Sequence, residues 1–181
     1  QLNILDDEIN FGGSMEKIDK INFDSKDKFY NYLNMKLTGL VCTEKDWLAN
    51  LSNASALLWL LLDNINWAGF YLYKNEELVL GPFQGKPACT HIEIGKGVCG
   101  TAAKSAFTQL VKNVHEFPGH IACDCASNSE IVVPIIQDDK LIGVLDIDSP
   151  ILNRFDETDQ KYLEKFVSIL IKYIDFPEKF I

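Results

Sequence analysis

The chain has 181 residues, of which 47% are hydrophobic and 24% are charged, the composition of an ordinary globular domain. Its net charge is −9, and it contains no run of Lys or Arg. Nucleic acids and anionic membrane surfaces are therefore disfavoured partners, because both attract proteins through clustered cations.

The N-terminal segment gives the first expectations about processing and location. Gly12-Gly13-Ser14-Met15 resembles a linker followed by an initiator methionine, so residues 1–14 are expected to be a tag or a disordered arm. A natural extension is the alternative, and residues 15–181 are expected to form one domain. Acidic residues stand where a secretory signal is basic, and the most apolar stretch, residues 54–62, is far shorter than the ~20 residues of a spanning helix. We therefore expect a cytoplasmic protein with reduced thiols.

Two helices are predicted in the first third of the chain. Apolar residues at helical spacing predict one helix over residues 24–40 and a stronger one over residues 43–63. Thr43 is the expected N-cap of the second helix, with Asp46 at its third helical position.

Short strands dominate the middle of the chain. Aromatic and β-branched residues predict strands over residues 67–73, 77–83, 88–94, 108–111, 130–137 and 141–147. Two hairpin turns are expected, at Lys74-Asn75-Glu76 and at Asp138-Asp139. The other predicted elements are a short helix over 98–106, a structured loop over 113–128 and an amphipathic helix over 156–174. Helices at both ends with hairpin-linked strands between them favour an α+β fold with a largely antiparallel sheet.

Five cysteines are the first candidates for chemistry. Cys42 stands apart and is expected to pack as a small apolar residue. The other four are Cys89, Cys99, Cys123 and Cys125, and simple burial in the core is the first interpretation of them. A zinc site is a second interpretation, although the C-x9-C-x23-C-x-C spacing lacks the paired ligands of structural sites. Redox chemistry is the third, because Cys123 follows His120 on a predicted loop and another thiol can condense with its sulfenic acid.

Three acidic residues form a second candidate group. Asp146 and Asp148 flank Ile147 in a predicted strand, so both side chains point to the same face of the sheet. Glu130 opens the strand that pairs with theirs through the predicted turn. The three carboxylates are expected to converge on one cavity, and a solvated strand end is the alternative. Crowding in such a cavity raises carboxyl pKa values, which favours proton donation near neutral pH.

A glycine motif and an aromatic strand complete the candidates. Residues 95–100 satisfy G-x-G-x-x-G, but the following helix is short and the neighbouring strands are hairpin-linked, which argues against a dinucleotide fold. A phosphate site there is a minor alternative. In the strand at 67–73, alternation is expected to turn Trp67 away from Phe70. A shared face for Trp67 and Tyr71 is expected only if that strand is bulged or twisted.

Six motifs, in order along the chain, resemble those of the free methionine-(R)-sulfoxide reductases, which are small enzymes built on a GAF domain. They are NWAGFY (66–71), GPFQGKPAC (81–89), GKGVCGTAA (95–103), FPGHIACD (117–124), SEIVVPI (129–135) and GVLDIDSP (143–150). The resemblance covers about residues 43–170. It implies a six-stranded antiparallel sheet packed between helices, usually in a homodimer. It also implies reduction of free L-methionine (R)-sulfoxide rather than of the residue within proteins.

The resemblance also implies roles for individual residues. Cys123 is the expected nucleophile, Cys89 the main resolving cysteine, and Cys99 a second thiol able to join the exchange. Glu130, Asp146 and Asp148 are expected to bind the sulfoxide and the ammonium group of the substrate. Trp67 and Tyr71 are expected to enclose its methyl group and its chain. No bound metal or organic cofactor is implied, and thioredoxin, reduced by NADPH through its reductase, is the expected external reductant.

Three questions stay open at this point. Cys125 has no counterpart in the motif, so a non-standard disulfide to it is an alternative pairing. A GAF module that senses a small ligand such as a cyclic nucleotide, without catalysis, is the alternative function. A cysteine-liganded zinc module is the third.

Overall fold

The structure is a computed structural model that describes residues 18–119, 126–177 and 180. The expected tag or arm at residues 1–14 lies outside these ranges. The described elements, in chain order, are α1 (Lys26–Val41), α2 (Trp47–Leu61), β1 (Trp67–Lys74), β2 (Glu77–Gly85), β3 (His91–Glu93), α3 (Gly97–Ser105), β4 (Gln109–Val111), a 3-10 turn (Val114–Glu116), β5 (Ser129–Gln137), β6 (Lys140–Ser149) and α4 (Glu157–Tyr173).

Side-chain caps decide where the long helices begin. The Asp46 side chain accepts a hydrogen bond from the Ala49 N–H at 2.8 Å, so α2 begins at Trp47. The prediction that Thr43 caps this helix is therefore wrong: the carboxylate nearer the apolar run satisfies the free N–H groups. Helix α4 begins with a capping box in which Asp156 and Asp159 each accept a hydrogen bond from the other's backbone N–H.

The sheet has six strands in the order β3-β2-β1-β6-β5-β4, and every described pairing is antiparallel. Both predicted hairpins form, and their turns place Asn75, Glu76, Asp138 and Asp139 at positive φ, as tight hairpin turns require. The predicted strand over 88–94 is wrong in extent, since only His91–Glu93 pairs with β2. The α+β architecture expected from the sequence is confirmed.

The sheet separates two apolar clusters. Helices α1, α2 and α4 cover one face, where Leu33, Leu51 and Phe166 pack against strand residues such as Phe70. The second cluster lies on the opposite face, where α3 packs against β5 and β6. None of the described helices combines the length and the apolar character that crossing a membrane requires.

Candidate active site

Three carboxylates meet on the face of the sheet that α3 covers. In the β5–β6 ladder Glu130 lies opposite Asp148, and Asp146 lies opposite Val132, two residues further along. Alternation then points all three side chains to one face, because residues two apart in a strand share a face. Glu130 and Asp146 are each only 6% exposed, whereas Asp148 is half-buried. The expected convergence of the three acids is therefore what the fold produces.

Cys99, on the helix that covers this face of the sheet, is the fourth member of the cluster. It lies in the first turn of α3, is 5% exposed, and its Sγ lies 3.9 Å from Glu130 Oε1. Asp146 lies within hydrogen-bonding reach of both Cys99 and Glu130 through one side of its carboxyl group. Its other oxygen, Oδ1, is buried and has no hydrogen-bond partner among the described residues. This oxygen is therefore an acceptor available for a further hydrogen bond.

Burial and mutual repulsion raise the pKa values of this cluster. Burial, followed by the charges of Asp146 and Asp148, raises the pKa of Glu130 well above its ordinary value. Burial raises the pKa of Asp146 to about 7, against the smaller lowering effect of its hydrogen bonds to Cys99 and Glu130. The pKa of the Cys99 thiol is also raised, by burial and then by the two carboxylates. Near neutral pH the cluster therefore retains protons and Cys99 stays a thiol.

The same groups are the residues that could hold a metal ion. One ligand atom from each of Cys99, Glu130 and Asp146 lies within 4.8 Å of the others, and all three residues are buried. A thiolate with two carboxylates suits a borderline cation such as Zn²⁺, while an organic ammonium satisfies the same charges through hydrogen bonds. The three side chains are thus close enough to share one cation of either kind.

A stack of three aromatic rings forms the wall beside the acids. The Trp67 ring lies 5.7 Å from the Tyr71 ring, with 23° between the planes, and 5.2 Å from the Phe83 ring, with 12° between the planes. Trp67 and Tyr71 share a face while β1 keeps an unbroken register with β6. The expectation that a bulge or twist was needed is wrong, because residues four apart in a regular strand lie on the same face.

Phe83 is a wall residue that the sequence reasoning did not single out. The β1–β2 register shifts between Gly69 and Tyr71, which brings Phe83 over the strand. A side chain at position 69 would overlap Cβ of Phe83, so the glycine is what admits the ring. The sequence GPFQG (81–85) could have indicated this arrangement, because a Gly-Pro pair inside a strand is typical of irregular pairing with the neighbouring strand.

Of the cysteines predicted to be functional, the structure describes two. Cys89 is half-buried and disulfide-bonded, whereas Cys42 and Cys99 are free thiols. Cys123, Cys125 and the neighbouring His120 lie outside the described residues. The expected packing role of Cys42 fits its half-buried position at the end of α1.

The glycine motif has a structural role. Gly95 and Gly97 adopt positive φ values of 88° and 60°, and the Gly95 N–H donates to the Gly100 carbonyl at 2.7 Å. A Cβ at Gly100 would overlap the Glu93 carbonyl oxygen. The motif folds the chain tightly from β3 into the nine-residue α3, without the parallel crossover of a dinucleotide fold.

Comparison with known proteins gives a consistent family. The GAF domain family model matches residues 48–172. The free methionine-R-sulfoxide reductase of Escherichia coli is 51% identical over 150 residues, 83% of this chain and 91% of that protein. The structure of fRMsr of Staphylococcus aureus in complex with substrate is 58% identical, with a TM-score of 0.77, 80% of this chain and 94% of that chain being covered. The free methionine-R-sulfoxide reductase from Neisseria meningitidis, also in complex with its substrate, is 45% identical with a TM-score of 0.79, and the match covers 84% of this chain and 93% of that one.

Proposed function

The chain belongs to the free methionine-R-sulfoxide reductases of the GAF domain family, and from this premise we propose that it reduces free L-methionine (R)-sulfoxide to L-methionine. The observation that carries the proposal is the cluster of Glu130, Asp146 and Asp148, which lies on the same face of the sheet as the stacked aromatic rings. A free amino acid sulfoxide offers an ammonium group, a polar S=O bond and an apolar methyl group, which match these surfaces.

Charge explains why a free amino acid is preferred. Crowded carboxylates in a buried site are costly unless a cation neutralises them. The α-ammonium group of a free amino acid supplies that cation, whereas a methionine sulfoxide within a protein presents a neutral amide instead. We therefore propose that the acids select the free compound, and that Trp67 and Tyr71 enclose its methyl group and chain.

The proposed reaction needs a thiolate directed at sulfur and an acid directed at oxygen. The Cys123 thiolate attacks the sulfoxide sulfur, and a proton from the carboxyl pair of Glu130 and Asp146 goes to the oxygen. The S–O bond of the substrate breaks as the oxygen is transferred to the Cys123 sulfur, so methionine leaves as the thioether and Cys123 becomes a sulfenic acid. The raised pKa of Asp146, about 7, supports this role because it keeps a proton available near neutrality.

The second half of the proposed cycle restores the thiols. The Cys89 thiol condenses with the Cys123 sulfenic acid, releasing water and leaving a disulfide. Two observations support this assignment: Cys89 is disulfide-bonded, and the other two described cysteines are free. A dithiol such as thioredoxin then reduces the disulfide by exchange. Cys99 joins the exchange only as a second thiol, since burial beside two carboxylates opposes its ionisation. Thioredoxin as the reductant and a homodimeric assembly rest on the family resemblance.

The test is NADPH consumption in a thioredoxin-coupled assay with free L-methionine (R)-sulfoxide. We expect Cys123→Ser to abolish turnover and Cys42→Ser, which alters a free thiol at the end of α1, to retain it. We also expect an N-acetylated substrate, which lacks the ammonium group, to react far more slowly. Turnover by Cys123→Ser would remove that residue as the nucleophile. Tight nucleotide binding without any turnover would favour the sensing function instead.

A further inference from the structure

We propose that Trp67 and Tyr71 are positioning residues for Cys89, in addition to any contact that their rings make with substrate. Their polar tips hold the backbone of residues 86–89, and this fixes where the Cys89 sulfur stands relative to its disulfide partner. The importance of this for turnover rests on the proposed function, in which Cys89 resolves the sulfenic acid.

Two hydrogen bonds connect the stacked rings to the backbone of residues 86–89. The Tyr71 hydroxyl donates to the backbone carbonyl of Cys89 at 3.0 Å, and the Trp67 indole N–H donates to the carbonyl of Lys86 at 3.2 Å. Both rings are buried, at 1% and 2% exposure, and the two are stacked on each other. Anchors of this kind are stiff, because a buried ring in a strand has few accessible rotamers.

The held segment has little regular structure of its own. It lies between the end of β2 at Gly85 and the start of β3 at His91, and Pro87 within it has no N–H to donate. Its end is attached to the sheet by the Leu80 N–H, which donates to the Thr90 carbonyl at 3.0 Å. Within it, the carbonyls of Lys86 and Cys89 accept hydrogen bonds from the side chains of Trp67 and Tyr71.

Fixing this segment has a defined chemical consequence. A disulfide forms more favourably when its two sulfurs are held near each other, because the effective concentration of one thiol at the other rises. In the proposed cycle the condensation of Cys89 with a sulfenic acid forms one S–S bond and releases one water. Loss of an anchor therefore lowers both the rate of that closure and the equilibrium stability of the disulfide.

The test is the redox equilibrium of the Cys89 disulfide against dithiothreitol, measured on the full chain without substrate. The variant is Tyr71→Phe, which keeps the ring and removes only the hydroxyl donor. We expect the equilibrium constant for disulfide formation to fall about five-fold, the effect of one net hydrogen bond, or about 20 mV for this two-electron couple. Trp67→Phe, which removes the indole donor, is the second variant and is expected to shift the equilibrium in the same direction.

Tyr32→Phe is the matched control. The Tyr32 hydroxyl also donates to a backbone carbonyl at 3.0 Å, that of Asp19, but it belongs to α1 on the other side of the sheet. The proposal requires an unchanged redox equilibrium in this control, and a larger loss of thermal stability in oxidised than in reduced Tyr71→Phe, each compared with wild type in the same redox state. A Tyr71→Phe disulfide as stable as wild type, or an equal shift in Tyr32→Phe, would overturn it. Since no sulfoxide is present, a failure of the reductase activity would not be mistaken for a failure here.

Discussion

Replacing Asp146 by Asn removes a buried acid that couples stability to pH. In the folded protein burial raises its pKa from 3.8 to about 7. Between these values the unfolded chain has already lost the proton that the folded chain retains, so the free energy of unfolding falls as pH rises. This rise in the Asp146 pKa corresponds to about 4 kcal/mol of unfolding free energy, because a tenfold change in an equilibrium constant is worth about 1.4 kcal/mol. We therefore expect Asp146→Asn to be the more stable protein by up to about 4 kcal/mol at pH 8.

Urea unfolding of the reduced proteins at pH 4 and pH 8 measures this difference. At pH 4, close to the ordinary carboxyl pKa, the advantage of the variant is expected to shrink below about 1 kcal/mol. Asp139→Asn, on the exposed turn between β5 and β6, is the control and is expected to give the same small difference at both pH values. The reasoning fails if Asp146→Asn is no more stable than wild type at pH 8, or if its advantage does not depend on pH. The same variant is expected to lose reductase activity, which separates the stability effect from the catalytic one.

Two further predictions concern rate and packing. If the carboxyl pair supplies the proton, kcat/KM is expected to decline about tenfold per pH unit above about pH 7, where Asp146 ionises, and a rate that stays level to pH 9 would exclude this acid as the donor. Gly69→Ala forces Cβ of residue 69 against Cβ of Phe83 and is expected to cost about 2 kcal/mol of unfolding free energy, measured in urea. Its counterpart Gly39→Ala, in α1 with nothing within 4 Å of the new Cβ, is expected to stabilise by about 0.5–1 kcal/mol, so similar effects in the two variants would contradict the packing argument.

Local sequence patterns were sufficient to predict the turns, the strand lengths and the facing of side chains in much of the sheet. The turns at Asn75-Glu76 and Asp138-Asp139 tolerate positive φ, and each joins strands whose length the residue types fix within about two positions. Strict alternation then brings Asp146 and Asp148 to one face of the sheet. Glu130 lies beside Asp148 on the neighbouring strand and points to the same face. The carboxylate cluster was predictable because all three acids belong to a single hairpin.

What escaped prediction depends on contacts between distant segments. The pairing of β1 with β6 joins residues about 80 positions apart, and no local pattern specifies it. The segment before β3 accepts hydrogen bonds from Trp67 and Tyr71, which lie about 20 residues earlier in the chain, so its conformation was not readable from its own residues. The stacking of Phe83 on Trp67 depends on the irregular pairing of β1 with β2 beside Gly69. It could not be predicted without knowing how the two strands pair.

The arrangement of the six strands has a consequence for durability. The acids lie on β5 and β6, which are interior strands of the sheet, whereas Cys89 lies in the connection that leads to the edge strand β3. In the proposed cycle the sulfur that gains and loses a covalent partner therefore lies outside the strands that hold the acids. The interior hydrogen-bond ladder is spared that change, so we expect its amide protons to exchange equally slowly with solvent in the oxidised and reduced proteins. In the proposed cycle the strands that hold the acids therefore keep one conformation, and the covalent change is confined to the anchored connection between β2 and β3 and its disulfide partner.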